Sequence, residues 1–518
     1  MSQDVTDAAR CLPATLRVFV QPGDELCETH LSWVILRGSE VYKIKKPVHF
    51  AFVDFRTLAQ RRAACEAELQ LNRRLAPAVY LDVVPVCGAT GVGGAQAVVD
   101  WAVHMRRLAD ADRLDRRLAQ GEVSALQVQR LVQRLCRFHR AQRQADNVDD
   151  RAACPAVLRQ NIEDNFAETP PAAVNRVGQA RLQVLRQSQL VWLEAHAACI
   201  EARRAAGKVC DGHGDLRAEH IYLHPDDSVD VIDCVEFNAD LRVADVALDV
   251  AFLSMDLRAL GAAWAAEQVL ARYAECSGDV DLYRVIDGYE SYRAHVRAKV
   301  AALRAPGCSA PAQQAAWAEF VAKVELAEQV LEPRPRPALL AVVGDVASGK
   351  SSVAAAVGHR AHVPVLSSDR CRKDMVGVAH DVPLAAAAYT VQGRAAVYEA
   401  LLAQARTVLD AGRSVVLDAT FASEAQQASL RALAAAGPWP LTWVELCIDE
   451  ALAIERLTAR QRTGAHASDA DLQVYRQLHA VRVPIQAQAG ERLLRPDARL
   501  SLEALSRQIL AQWPPAAP

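Results

Sequence analysis

The chain has 518 residues, more than a single hydrophobic core organises, so two or three domains are expected. Its 59 basic and 62 acidic residues nearly balance, which excludes bulk electrostatic binding of a polyanion and leaves only a local patch for any nucleic-acid contact. The 13 scattered cysteines include no C-x-x-C pair, which argues against a disulfide framework and against a structural zinc site. The start, MSQDVTDAARCLP, has neither the basic nor the apolar region of a signal peptide, and no run nears the roughly 18 apolar residues of a membrane span. A soluble, cytoplasmic protein without a membrane partner is expected.

The first elements read as strands. LSWVIL, EVYKIK, YLDVVPV and AQAVVDWAV lie between Leu31 and Val103, with one helical stretch from Thr57 to Leu75 among them: a small, mainly β lobe. In EVYKIKKPV the two-residue period puts Lys43 and Lys45 on one face, and the following helix carries Glu68 in AELQLNRRL. From Ser124 to Leu331 the pattern is mostly helical. It is interrupted by DGHGDLRAEHIYL (Asp211 to Leu223) and VDVIDCVEF (Val229 to Phe237), a His-Gly-Asp loop leading into a hydrophobic hairpin with Asp233 at its end. Further on, SYRAHVRAKVAALR places Arg293, Arg297 and Arg304 along one helix face. Two readings of that face stand: a solvated surface paired with Asp287 or Glu290, or a wall suited to an anionic acceptor.

These motifs, in this order, resemble the protein-kinase-like fold in its aminoglycoside phosphotransferase branch. The resemblance implies Asp215 as the base that orients and deprotonates the acceptor hydroxyl, and Asp233 as a Mg²⁺ ligand. It also implies Glu68 as the partner of a phosphate-anchoring lysine, either Lys43 or Lys45, and Trp101 to Val103 as the hinge that meets adenine. The family's metal-binding asparagine falls five residues after the base. Here that position is His220, a poor ligand for a hard cation, with Glu219 beside it as a substitute. A glycine-rich G-x-G-x-x-G loop is absent, and only Gly38 lies in the expected hairpin.

The proline-rich EPRPRP, Glu332 to Pro337, forbids helix and favours an extended connector. It divides the chain into residues 1–331, with a small lobe to about residue 103 and a helical lobe beyond it, and residues 338–518. Directly after it the apolar run ALLAVV leads into GDVASGKS, which fits G-x-x-x-x-G-K-[ST] without a mismatch. The motif comprises Gly344, Asp345, Val346, Ala347, Ser348, Gly349, Lys350 and Ser351, with Ser352 next. Its glycines let backbone N–H groups wrap the phosphates of ATP, Lys350 reaches the β/γ-phosphates, and the Ser351 hydroxyl is placed to ligate Mg²⁺. Ala338 to Val343 reads as the strand before it and Ser351 to Val357 as the helix after it. Val363 to Gly377 reads as a second parallel strand ending at Ser368 and Asp369 and opening a helix with Arg370, Arg372 and Lys373. Ser414 to Phe421 reads as a third strand, ending in Asp418 and Thr420. After a fourth, LTWVELCID, the helix ALAIERLTARQR carries Arg456 and Arg460 on one face.

This part is similar to the P-loop kinases related to polynucleotide 5′-kinase and zeta toxin. That likeness implies Asp369 as the general base, Arg372 as a phosphate-binding arginine and Asp418 as a Walker-B-like acid that approaches Mg²⁺ through water. Arg456 and Arg460 are implied as lid arginines that neutralise the transferred phosphoryl group. The whole chain resembles the bacterial bifunctional aminoglycoside phosphotransferase/ATP-binding proteins. The expectation is an α+β unit followed by an α/β unit, using ATP and Mg²⁺ to phosphorylate a hydroxyl acceptor, either a small molecule or a 5′-hydroxyl nucleic acid. The rival expectation is an ATP-binding regulator whose N-terminal unit is a pseudokinase gating the P-loop domain.

Overall fold

The structure is a computed structural model that describes residues 12–17, 19–50, 53–89, 96–143, 150–345, 347–378, 382, 384, 391–463, 476, 479 and 482–513. The chain divides into two compact units, Met1–Gly261 with Tyr292–Val321, and Ala262–Ser291 with Ala322–Pro518.

The first unit opens with strands β1 (Glu25–Glu28), β2 (Ser32–Arg37) and β3 (Glu40–Lys45) and a short pair, β4 (His49–Phe50) and β5 (Val53–Asp54). The helix Leu58–Asn72 and two long strands, β6 (Tyr80–Ala89) and β7 (Gln96–Arg106), follow. One antiparallel sheet runs in the order β1-β2-β3-β7-β6. The two-residue period decides what each face buries. Trp33, Ile35, Ile44, Val86 and Ala102 pack with Leu12 and Leu16, whereas Val41, Tyr80, Val103 and Met105 pack with Cys65 of the helix. Lys43 and Lys45 share the face of Val41, so both ammonium groups are aimed at the helix that carries Glu68. That helix starts at Thr57, whose hydroxyl oxygen accepts the Gln60 N–H while the Gln60 side chain accepts the Thr57 N–H. Arg61, one turn on, donates to the buried Asp100 at 2.9 Å.

Trp101–Val103 lie inside β7, with Ala102 opposite Ile44 and Val103 opposite Lys43. The expected hinge at these residues is therefore corrected. Apolar alternation continues through Met105 and keeps Ala102 and Val103 fully buried, so the chain leaves the sheet only after Arg106. The rest of this unit is mostly helical, chiefly Ala125–Arg143, Gln179–Ala205 and Val246–Ala259. Four short strands, β8 (Val209–Asp211), β9 (Ile221–Leu223), β10 (Val229–Val231) and β11 (Val243–Asp245), pair antiparallel as β8 with β11 and β9 with β10.

The second unit holds β12 (Leu339–Gly344), β13 (Val365–Ser367), β14 (Val415–Asp418), β15 (Leu441–Leu446) and β16 (Arg492–Leu494). They form a wholly parallel sheet in the order β13-β14-β12-β15-β16. Every residue of β12, β14 and β15 is buried, as strands covered on both faces require. The strand and helix expected around the P-loop are present as β12 and Lys350–Ala361.

Residues 262–291 group with this second unit although they precede the proline-rich segment. The physical reason is the outer edge of β13, whose backbone groups need partners. From helix Ala263–Ser277, Arg272 donates to the Val363 carbonyl at 2.9 Å, and Glu275 accepts the Val365 N–H at 2.7 Å. Deeper in, Arg413 is held by Glu267 at 3.0 Å and Asp287 at 2.7 Å. Arg413→Ala removes the more buried of the two arginines these carboxylates share and leaves them Arg334, 3.4 Å from Glu267 and 3.0 Å from Asp287, so a loss of about 2–3 kcal/mol is expected. Urea unfolding with hydrogen exchange read on β12, β14 and β15 checks it; an unchanged midpoint for those strands would contradict a structural role for the network. Among the described residues no helix is long and apolar enough to cross a membrane.

Candidate active sites

The P-loop site is built at the carboxyl ends of β12, β13 and β14, where open parallel sheets place their ligands. β12 ends at Gly344, whose φ of 148° and close approach to the Leu446 carbonyl leave no room for a Cβ, which would lie 2.5 Å from that oxygen. The loop then runs through Asp345, Ala347, Ser348 and Gly349 into the helix that starts at Lys350, whose free N-terminal N–H groups and dipole favour an anion. Ser348 Oγ is buried with no hydrogen-bond partner among the described residues, an orphaned group of the kind a phosphate oxygen satisfies. Lys350 lies back on its own loop, its ammonium donating to the Asp345 carbonyl at 2.8 Å. Burial pulls its pKa down, against the opposing fields of Asp418 and Asp369.

Asp418, at the end of β14, is itself buried. Burial raises its pKa despite Lys350 and the hydroxyls of Ser351 and Ser367. Asp369, in the first turn of helix Ser368–Met375, accepts from Arg372 at 2.8 Å. Asp418 and the Ser351 hydroxyl it meets make an oxygen pair that fits Mg²⁺, a hard cation that takes one or two carboxylates together with phosphate oxygens. Ser352, in the same first turn, is exposed. Arg456 reaches the loop and donates to the Ala347 carbonyl at 3.2 Å. Val346 and the side chain of Arg460 lie outside the described residues.

Outer supports of this site carry no local sequence signal. Asp345 accepts from Arg482 at 3.1 Å and lies 3.0 Å from His479 Nδ1, and Arg482 continues to Glu445 at 2.6 Å. The Tyr398 hydroxyl accepts the Phe421 N–H at 3.1 Å and meets Thr420 at 2.9 Å, fixing the segment just beyond Asp418.

In the first unit, Lys43 Nζ lies 2.8 Å from Glu68 and 2.7 Å from Asp233. Lys45 Nζ lies 2.5 Å from the other Glu68 oxygen and also pairs with Glu236. Lys45 is 1% exposed against 17% for Lys43, so Lys45 closes the pair from the interior while Lys43 joins it to Asp233. Burial opposes the charge on Lys43, but Asp233 and Glu68 more than restore it, and Lys43 in turn holds Asp233 far below the usual carboxylate range. Asp233 sits just past β10 at φ 64°, a left-handed conformation that aspartate visits more readily than most side chains. The Tyr80 hydroxyl accepts its N–H at 3.2 Å, and Asn72 Oδ1 accepts the Cys234 N–H at 2.9 Å. The helix that carries Glu68 thereby also pins the segment that carries Asp233.

The His-Gly-Asp loop is shaped by Asp249 of helix Val246–Ala259, which accepts the N–H groups of His213 at 2.7 Å and Gly214 at 3.0 Å. Asp215 is gripped by Arg217, with 3.0 Å to each oxygen. Burial raises the Asp215 pKa, but the neighbouring cations, Arg217 first, outweigh it and the net shift is downward. His220 lies between the two aspartates: its Nδ1 is 2.9 Å from the Asp215 carbonyl, its Nε2 3.5 Å from Asp233 and 3.2 Å from Arg217 Nη2. Nδ1–H donates to the carbonyl, which leaves Nε2 as the acceptor for Arg217. A metal at Nε2 therefore has to displace Arg217, and Asp233 is the hard-oxygen donor that suits Mg²⁺ here. Glu219, 41% exposed, also contacts Arg217. Arg217 stands in plain view in the DLR of the loop, whereas Asp249 has no local signal. Of the basic helix face, Arg293 lies 4.6 Å over the Phe252 ring and Arg304 pairs with Glu319 at 2.6 Å. Asp287, one of the partners expected for that face, is taken by Arg413. Among the described residues no three His, Cys, Asp or Glu side chains form a protein-only metal cage, which a Mg-nucleotide site does not need.

A domain family described as an AAA domain matches residues 339–485, from β12 through the P-loop and beyond β15. The uncharacterized protein Rv2004c of Mycobacterium tuberculosis strain H37Rv is 33% identical over 419 residues, 80% of this chain and 82% of its own length. The chain belongs to that protein's family. Among solved structures, aminoglycoside 2′-phosphotransferase-IIIa in its GDP complex is 17% identical with a TM-score of 0.38, covering 64% of this chain and 97% of its own. A gluconokinase from Sinorhizobium meliloti is 24% identical with a TM-score of 0.26, covering 34% of this chain and 92% of its own. On the sheet orders and site geometry above, the N-terminal region has a kinase-like fold and the C-terminal region is a P-loop AAA domain with a wholly parallel sheet.

Proposed function

We propose that the chain is an ATP-dependent phosphotransferase with two nucleotide sites, each moving the γ-phosphoryl group of ATP to a hydroxyl acceptor. The observation that carries this reading is the convergence of Lys350, Ser351, Asp369 and Asp418 at the strand ends of the parallel sheet. In that site the loop N–H groups and Lys350 hold the phosphates, Asp369 takes the acceptor proton, and Arg372, Arg456 and Arg460 supply positive charge beside the transferred group. Mg²⁺, which Ser351 and Asp418 would hold, neutralises phosphate charge. The domain assignment is a kinase-like domain over 1–331, a connector over 332–337 and a P-loop domain over 338–518, with residues 262–291 and 322–331 packing in the compact unit of the P-loop domain, in a cytoplasmic protein.

In the N-terminal site Asp215 is the base, Arg217 positions it, Asp233 holds Mg²⁺, and Lys43 is the phosphate anchor because it touches both Glu68 and Asp233. Lys43→Met is expected to lower kcat/KM at this site about a hundredfold in a folded chain. Lys45→Met instead strips a buried cation from Glu68 and Glu236 and lowers the melting temperature. Transfer assays paired with thermal melts separate the two; equal loss of activity without loss of stability in both variants contradicts the assignment.

The general test supplies labelled ATP with 5′-hydroxyl oligonucleotides, nucleosides, sugars and aminoglycosides to the full chain. Asp369→Asn is expected to keep ATP binding and lose about 10²–10⁴-fold in transfer at the P-loop site. Lost ATP binding, with normal transfer per bound nucleotide, makes Asp369 a nucleotide ligand instead. A second reading, an ATP-binding regulator with a silent N-terminal site, is favoured by the engagement of His220 Nε2 with Arg217 and by the closed Asp215–Arg217 pair.

A further inference from the structure

We propose that Arg297 is the acceptor-recognition residue of the N-terminal site and that this site phosphorylates an alcohol bearing an anionic group, a carboxylate or a phosphate ester. The proposal rests on the reading of Asp215 as the catalytic base. Arg297 belongs to helix Ile286–Arg304 and is only 15% exposed. Its guanidinium lies near enough to Asp215 to help hold that carboxylate below its usual range, while burial and the neighbouring Arg217 draw its own pKa down. The neighbouring cations are already paired: Arg217 with Asp215 and Glu219, and Arg304 with Glu319 at 2.6 Å. Among the described residues the one ion pair of Arg297 is with Glu319, at 3.9 Å, with Asp215 and Glu219 within electrostatic reach, and it donates no hydrogen bond. A half-buried guanidinium that makes one long ion pair and no hydrogen bond keeps its fork of donors available to an anion. A carboxylate or phosphate on the acceptor meets it with paired, charge-assisted hydrogen bonds. An ammonium group at the same place is repelled.

The chemistry balances without another reactant. The acceptor hydroxyl oxygen bonds to the γ-phosphorus of ATP, its proton passes to Asp215, and the bond from that phosphorus to the β–γ bridging oxygen breaks. ADP leaves, and the acceptor becomes a phosphomonoester that keeps its original anion.

The test uses the full chain carrying Lys350→Ala, which silences the P-loop site, labelled ATP, and four acceptors on one scaffold: glucose 6-phosphate, glucuronate, glucose and glucosamine. The expected result is transfer to glucose 6-phosphate or glucuronate with kcat/KM about tenfold or more above glucose and glucosamine, the preferred arm telling phosphate from carboxylate. Adding Arg297→Ala is expected to raise KM for the preferred acceptor about tenfold or more, with a smaller change in kcat, and Arg297→Lys to recover part of it. Preference for glucose or glucosamine, or an anionic preference untouched by Arg297→Ala, overturns the proposal and leaves the phosphotransfer reading standing. Absence of any Asp215-dependent transfer to the four acceptors overturns both.

Discussion

Replacing Lys350 by alanine is expected to cut ATP turnover at the P-loop site by about 10²–10³-fold while the chain stays folded. The two halves of that expectation have separate causes. The Lys350 ammonium donates one hydrogen bond, to the Asp345 carbonyl, and burial disfavours its charge, so the fold loses little when it goes. Toward ATP, the same ammonium would supply positive charge at the start of the P-loop helix, where burial has removed competing water. The measurement is single-turnover hydrolysis by the full chain carrying Asp215→Ala, which removes the contribution of the other site. Turnover unchanged by Lys350→Ala in that background would falsify the P-loop assignment. Severing the chain at the proline-rich segment is a poor substitute for this design. Arg272 and Glu275 cap the backbone of β13, and Arg413 is locked to Glu267 and Asp287, so a fragment starting at Ala338 loses the support of the strand that leads into Asp369.

What the sequence made legible follows from locality. GDVASGKS is read from eight adjacent residues, and its strand and helix follow from the apolar run before it and the alanine-rich run after it. The ion pair of Glu68 with a lysine of β3 was implied by the resemblance to the kinase-like fold, while the two-residue period placed both candidate lysines on one face. Periodicity alone left Lys43 and Lys45 equivalent, since both satisfy the same alternation. Only Asp233, 190 residues further along the chain, tells them apart by meeting Lys43. Long-range polar contacts account for the rest of what was hidden. The grip of Asp249 on the His-Gly-Asp loop, the path from Asp345 through Arg482 to Glu445, and the attachment of helix Ala263–Ser277 to β13 each join segments whose sequences carry no mark of the other. The misplaced hinge has a different origin. The run WAV looks like a strand end when β7 is read alone, and its true end is fixed by pairing with β3 out to Arg106 opposite Glu40.

Asp215→Ala is expected to remove transfer by the N-terminal site, about 10²–10⁴-fold, because it deletes the only carboxylate of the loop that Arg217 and Asp249 together hold in position. The informative companion is His220→Asn. The imidazole now spans the Asp215 carbonyl and Arg217, and its Nε2 lone pair is turned to a guanidinium, away from any role as an oxygen-like donor beside Asp233. Asparagine offers a carbonyl oxygen to Mg²⁺ and an amide to the Asp215 carbonyl, so activity with Mg²⁺ is expected to be kept or raised. Mn²⁺, which accepts nitrogen ligands more readily than Mg²⁺, is expected to narrow the gap between wild type and His220→Asn. Both variants are assayed in the full chain carrying Lys350→Ala, with each metal in turn. A silent regulatory unit gives another pattern: no transfer with either metal, and no change on either substitution. Transfer that survives Asp215→Ala removes the base assignment itself, because among the described residues no other carboxylate is both positioned by the His-Gly-Asp loop and paired to Arg217 through two equal contacts of 3.0 Å.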